Sequence, residues 1–417
     1  MKANVVPCFL VAVAQLVSCV GTAPSAVPGT APPDPEQPTP DASTTEEAAA
    51  ALPPPGAVDA TFIAPTLGFS VERLIVDAGR VYVFGFVPSG NGSVSGVLNV
   101  AALSQDGRLD GSFGVQTVNQ CGADESFADA AVSPNAVVIV TRTGCIVRLR
   151  ATGEFVGSTR VADVPRAAAL ALDGTGAVFV AGSVAGSPGP PKPRIARVSA
   201  SGDVINTFST TANESTEKIS GVFIDAHTSS FNGTPGVLVA HSGFNGQGSS
   251  IRGYDQNGFE KQAPLEVSSD AIAMIVPEPG DKGRFLVGRL SPIDASTTPP
   301  SRTLSLRPWR INGSVPEAVA DAGAVKVPGL VWTPGTTVER PVFMGDRLVV
   351  LGSGRLESRI TGLRLSVGRL SEAPQTVELE GEQARFAIQG SSVIVAFRAQ
   401  NGAWSLERRT FPKKNPP

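Results

Sequence analysis

Histidine is the side chain best suited to move a proton or hold a transition metal near neutral pH, and this chain of 417 residues carries two, His227 and His241. Both fall in one stretch, Phe223-Ile224-Asp225-Ala226-His227 and Val239-Ala240-His241, where a hairpin would bring them together with Asp225. A zinc site usually needs three or four protein ligands, and two histidines in surface loops need no metal at all. Serine chemistry has no better footing, since no Gly-x-Ser-x-Gly occurs with a partner histidine in a strand–turn–helix context. The glycine-rich runs Gly243-Phe244-Asn245-Gly246-Gln247-Gly248 and Gly352-Ser353-Gly354 lack the Lys-Ser/Thr of a phosphate loop and read as turns. Asp124-Glu125 and the Glu378, Glu380, Glu382 set are not spaced like a calcium loop. Trp309, Trp332 and Trp404 could line a carbohydrate surface, although isolated aromatics usually fill cores. The expectation is therefore no catalytic residue, no metal and no cofactor.

Charge excludes other classes. The net charge is −3, which gives no field to gather phosphates, so nucleic acid and an anionic membrane surface are not expected partners. Arg408-Arg409 with Lys413 and Lys414 reads as a solvated C-terminal tail.

The cysteines are more informative. Met1-Lys2 is followed by an apolar run from Val5 to Val17, too short for a bilayer core that needs about twenty residues, and it reads as the core of a signal peptide over residues 1–18. It ends in Leu16-Val17-Ser18-Cys19, which resembles the lipobox of bacterial lipoproteins. That resemblance implies that Cys19 is acylated on sulfur and becomes the new N-terminus. Val20 stands where many inner-membrane lipoproteins carry Asp, so the resemblance favours the outer membrane or cell surface. The competing reading is an ordinary secretory signal cleaved near Ala23 or Ala26, with Cys19 lost. Residues 19–56 then form a spacer rich in Pro, Ala and Thr, including Pro32-Pro33 and Pro53-Pro54-Pro55, with no face to bury. At up to ~3.1 Å per residue it could hold the folded part roughly 100 Å from a lipid. Cys8 leaves with the signal, and the remaining pair, Cys121 and Cys145, in an exported chain implies a disulfide; metal binding or a reactive thiol are the alternatives.

The elements that must position any site lie in residues 57–417. With 41% hydrophobic but only 17% charged residues, 45 Gly and 35 Pro, the composition favours short strands and tight turns, hence an all-β protein. A unit recurs from residue 57 on: an apolar strand, a polar turn, then a second strand often ending at Gly. Leu74-Ile75-Val76 turns into Val81-Tyr82-Val83-Phe84-Gly85, and Ala130-Ala131-Val132 into Ala136-Val137-Val138-Ile139-Val140. Further copies begin at Ala169, Val222, Ala271, Val342 and Phe386. Nearly continuous apolar strands must be covered on both faces, as stacked neighbours would do. Most units add a more polar hairpin turning at Asp106-Gly107, Thr152-Gly153, Ser201-Gly202 or Asn257-Gly258. Four strands per unit, repeated, predicts a single β-propeller of about seven four-stranded blades. Tandem β-sandwiches are the competing architecture.

The segment Asp106-Gly107-Arg108-Leu109-Asp110-Gly111-Ser112-Phe113-Gly114 closely resembles the signature of the delta-60 repeat family, propeller-forming repeats of exported bacterial proteins. Here Leu103 should end a third strand and Arg108 to Phe113 form the outer strand, with Phe113 against the next blade. The motif is recognisable again at Val58-Asp59-Ala60-Thr61-Phe62 and at 200–208. Because residues 58–62 end a unit with no beginning, the N-terminal strand is expected to complete the last blade and close the ring. Functionally these readings favour a monomeric, lipid-anchored, non-catalytic binding or scaffold module at the envelope of a Gram-negative bacterium, facing an envelope protein or a polysaccharide. The alternative is a propeller hydrolase or lyase with a metal-assisted site in the central channel, like that of sugar-lactone hydrolases, for which the inner strands offer few carboxylates or amides.

Overall fold

The computed structural model describes residues 53–412, except for 91–94, 123–124, 174, 185–191, 210–216, 219–235, 244–248, 259–264, 268–270, 279–283, 292–295, 297–301, 313–314, 319–324, 333–336, 340, 357–358, 370–373, 382 and 400. The described residues form antiparallel sheets that follow one another along the chain. Sheet 1 contains Arg73–Asp77, Arg80–Pro88, Gly96–Leu103 and Val115–Val118. Sheet 2 contains Phe127–Ser133, Ala136–Thr141, Cys145–Arg150 and Phe155–Arg160, and sheet 3 contains Arg166–Leu172, Val178–Val184, Lys192–Val198 and Val204–Ser209. Sheet 4 contains Glu217–Lys218, Gly236–Gly243, Ser249–Asp255 and Leu265–Val267. In sheet 5, Ala271–Pro277 and Arg284–Leu290 precede Arg302–Asn312, which pairs with both Val315–Ala318 and Val325–Trp332. In sheet 6, Thr337–Val338 and Val342–Met344 share Arg347–Leu356, followed by Arg359–Gly368 and Gln375–Leu379. These six are each continuous in sequence. Sheet 7 joins both ends of the domain: Gln383–Gln389, Ser392–Arg398 and Trp404–Thr410 receive Ala57–Val58 as outer strand, with Ala57 opposite Thr410. Sheets 5 and 6 thus have five strands where four were expected, because one long strand in each is shared along its length by two short partners.

The unbroken apolar strands serve two interfaces at once. Tyr82 and Phe84 pack into a cluster with Val137 and Ile139 of sheet 2, whereas Val81 and Val83 enter a cluster with Ile394 and Ala396 of sheet 7. Val138 and Val140 continue the alternation towards Val178 and Val180 of sheet 3, and Phe179 and Ala181 continue it towards Val237 and Val239 of sheet 4. Strand contacts join sheets 4 to 5 and 5 to 6, and a further cluster joins 6 to 7. Side chains alternate along a strand, so a strand pressed between two neighbours must be apolar at every position. Because sheet 7 packs on sheet 1, the ring is closed and the fold is an all-β propeller, not a set of separate sandwiches. The recurrent glycine within the second strand has a local cause. A Cβ on Gly85 would lie 1.6 Å from the Ser70 carbonyl oxygen, and one on Gly182 would lie 2.1 Å from that of Arg166.

The outer-strand expectation needs correction. The outer strand of sheet 1 is Val115–Val118, and residues 104–114 are two successive turns. Asp106-Gly107 makes the first, with Gly107 at φ +89°. In the second, the Asp110 carboxylate accepts hydrogen bonds from the Ser112 N–H and hydroxyl at 2.8 and 2.6 Å. An aspartate bonding its own backbone two residues on competes with strand pairing and turns the chain. The effect is to drive Phe113 into the seam between sheets 1 and 2, where it is 1% exposed and meets Tyr82 edge-on at 5.6 Å. Asp59 repeats the device, accepting from the Thr61 N–H and hydroxyl at 2.9 and 2.6 Å and setting Phe62 between sheets 7 and 1. In sheet 3 Phe208 lies 5.6 Å from Tyr254 of sheet 4. The repeated motif is therefore a plug between neighbouring sheets.

Cys121 and Cys145 form a disulfide that ties the segment leaving sheet 1 to the third strand of sheet 2. Beside it Glu125, 5% exposed, accepts the Thr143 hydroxyl at 2.7 Å and Arg160 at 3.2 Å, while Arg160 also donates to the Cys121 carbonyl at 3.0 Å. In the chain-entropy account, opening a loop of this length costs about 3 kcal/mol. Cys145→Ser under oxidising conditions, or the wild type with a reductant, should lose that much in a urea titration while keeping a single transition.

Candidate functional site

The innermost strands surround a cavity of about 500 Å³ at the ring axis, lined from sheets 1, 2, 5, 6 and 7. That size suits a small organic ligand. Its apolar wall includes Leu74, Val276, Val342 and Phe343, and its charged wall Glu72, Arg73, Arg142, Glu339 and Arg385. Arg73 opens the first strand of sheet 1, Arg385 lies early in the first strand of sheet 7, and Glu339 directly follows Thr337–Val338.

Most of these charges are matched. Arg385 spans the wall, reaching Glu72 Oε2 and Glu339 Oε1 at 3.1 Å each and donating from Nε to the Glu72 carbonyl at 2.6 Å. One guanidinium thus holds two carboxylates from two other sheets. The Glu339 side chain keeps 33% of its surface accessible but is ringed by protein within the cavity. Burial pushes its carboxyl above the usual range, opposed by the charge of Arg385. Arg73 ion-pairs with Asp129, whose second oxygen accepts the Leu170 N–H at 2.9 Å, so sheets 1, 2 and 3 meet at one carboxylate. Arg142 differs: among the described residues its side chain makes one hydrogen bond, from Nε to the Phe127 carbonyl at 3.4 Å.

Away from the axis, side chains repeatedly donate to a backbone carbonyl in a turn or just past a strand end of the next sheet. Arg80 donates to Ala151, Arg148 to Gly176 and Ser199, Arg347 to Phe411, and Gln389 to Gly79. Arg148 is 7% exposed, and desolvation holds its guanidinium below the usual arginine range, partly offset by the charge of Asp173. These contacts fix the sheets to one another and hold the cavity walls in place.

The sequence marks none of the charged cavity residues as a site, because the inner strands stand out by their apolar centres and most of the charges sit towards the strand ends. The one visible signal was a charged residue inside an apolar run, as in Phe127-Ala128-Asp129-Ala130 and Ala384-Arg385-Phe386. Of the residues the sequence did single out, Cys19, Asp225 and His227 lie outside the described residues, as does the strand read at Val222-Phe223-Ile224. His241 is in the second strand of sheet 4, opposite Ser250. Trp309 and Trp404 are buried, Trp309 stacking on Phe285 at 6.5 Å, so neither forms an exposed sugar platform. Among the described residues no group of three or more His, Cys, Asp or Glu gathers as a metal site.

No family model matches the chain, and no curated protein matches it. Solved structures do. The Neurospora crassa Pan2 WD40 domain is 10% identical with a TM-score of 0.53, covering 83% of this chain and 90% of its own. The Dos1 propeller is 10% identical with a TM-score of 0.54, covering 84% of this chain and 94% of its own. The chain is a β-propeller. At this identity the likeness concerns the fold alone, and the propeller's chemistry must be argued from its own cavity.

Proposed function

We propose that this propeller is a non-catalytic binding or scaffold module of the delta-60 repeat type, lipid-anchored through Cys19 and held by residues 20–56 at the outer membrane or surface of a Gram-negative bacterium. The observation that carries the reading is the order Leu16-Val17-Ser18-Cys19, proline-rich spacer, propeller. The resemblance of residues 98–114 to the delta-60 signature supports the repeat type. A rigid closed ring on a long tether is suited to presenting a face to a partner such as an envelope protein or polysaccharide. The hydrolase alternative draws no support from the axis, where Glu72, Glu339 and Asp129 are each engaged by a guanidinium.

The test is acylation. In a Gram-negative host the full chain should incorporate labelled palmitate and fractionate with the outer membrane, and Cys19→Ser should abolish both. Equal labelling and fractionation of the two proteins would remove the anchor from the proposal.

A further inference from the structure

We propose that the cavity at the ring axis binds a carboxylate carried on an apolar group, with Arg142 as the residue that grips it. The argument begins with charge. Of the three guanidinium groups on the wall, Arg73 and Arg385 already hold carboxylates from other sheets. Arg142 is paired with no carboxylate among the described residues. Its single hydrogen bond uses Nε, which leaves Nη1 and Nη2 for a partner. Two parallel N–H donors match the two oxygens of a carboxylate.

Shape gives the other half of the ligand. Leu74, Val276 and Phe343 face the same cavity from three different sheets, so an anion at Arg142 would have an apolar wall available for its body. A fully hydrated ion such as sulfate would leave that wall wet, whereas an aryl or branched alkyl acid would dry it. Such a group is found on free organic acids and at the C-terminal residue of a peptide. The inference rests on the reading of the propeller as a binding module and not on the tether.

The experiment is calorimetric titration of the full chain with 3-phenylpropionate and 3-phenylpropionamide, each against wild type, Arg142→Gln and Arg142→Lys. Charge-assisted hydrogen bonds of this kind correspond to about 10- to 100-fold in affinity, so the amide should bind at least tenfold more weakly than the acid. Arg142→Gln should lose the acid by a similar factor, and Arg142→Lys should recover only part, because it keeps the charge but not the fork. Unchanged melting temperatures would establish that both variants fold. A tetrapeptide ending in Phe, with free or amidated C-terminus, separates the sources: tighter binding of the free peptide than of 3-phenylpropionate assigns a chain end, and the reverse order a free acid. Equal binding of acid and amide, or an acid affinity unchanged in Arg142→Gln, would overturn the site. Conversion of the acid during incubation, read by proton NMR, would instead overturn the non-catalytic reading and leave the site standing.

Discussion

Phe62→Ala is expected to destabilise the propeller by about 3–5 kcal/mol, the range for removing a buried phenylalanine, and deletion of residues 53–66 should cost more. Phe62 is 8% exposed and sits between sheets 7 and 1, the one seam whose two sides come from opposite ends of the domain. Around it, Arg408 packs over the ring at 5.3 Å, pairs with Asp59 at 2.7 Å and donates to the Gln105 carbonyl of sheet 1 at 2.7 Å. The Ile63 N–H donates to the Asp106 carbonyl at 2.8 Å, and Arg409 to the Gly56 carbonyl at 2.9 Å. The deletion would uncover one side of this seam and expose the Trp404–Thr410 strand as an unpaired edge. Urea titration reads the effect. Val156→Ala, 55% exposed on the outer strand of sheet 2, should stay within about 0.5 kcal/mol and serves as control.

The same seam should weaken in acid. Hydrogen bonds from Thr61, and secondarily Arg408, hold the Asp59 carboxyl below the usual carboxylate range. A carboxyl lowered in the fold contributes stability above its unfolded value and loses it as pH falls through its folded value. The excess stability of wild type over Asp59→Asn should therefore be full near neutrality and shrink below about pH 4. A difference independent of pH would detach Asp59 from ring closure.

How far the sequence reached depended on whether a feature was local or assembled. Unbroken runs such as Val81-Tyr82-Val83-Phe84 announce burial on both faces, so the stacked sheets were legible. The orphan segment Val58 to Phe62 announced ring closure for the same reason: it ended a unit that nothing had begun. Residues 108–113 misled because their strand-like length concealed the Asp110 turn, in which a side chain displaces backbone pairing. The axial cavity showed in the sequence only as isolated charges within apolar runs, such as Arg385 in Ala384-Arg385-Phe386. Glu72, Glu339 and Arg385 lie far apart in the chain, and only closure of the ring brings them to one place. A single charge at the end of an apolar strand has no distinctive pattern until its partner is known.

Asp129 separates two accounts of how that axis is held. If the ion pair with Arg73 dominates, Arg73→Met and Asp129→Ala should cost alike. The surroundings argue otherwise. The Arg73 side chain is 37% exposed, so its pairing is screened and contributes no more than about 1 kcal/mol. The Leu170 N–H that donates to Asp129 at 2.9 Å belongs to a buried residue, as does the Ala130 N–H on the other oxygen at 2.9 Å. Removing the carboxylate strands both donors, each at about 1–3 kcal/mol, whereas removing Arg73 leaves them satisfied. Asp129→Ala should thus cost about 2–6 kcal/mol and Arg73→Met about 1 kcal/mol or less. Asp129→Asn should fall between, because one amide oxygen can still accept from Leu170. Equal losses in Asp129→Ala and Arg73→Met would show that the charge pair, and not the buried backbone donors, joins sheets 1, 2 and 3 at the axis.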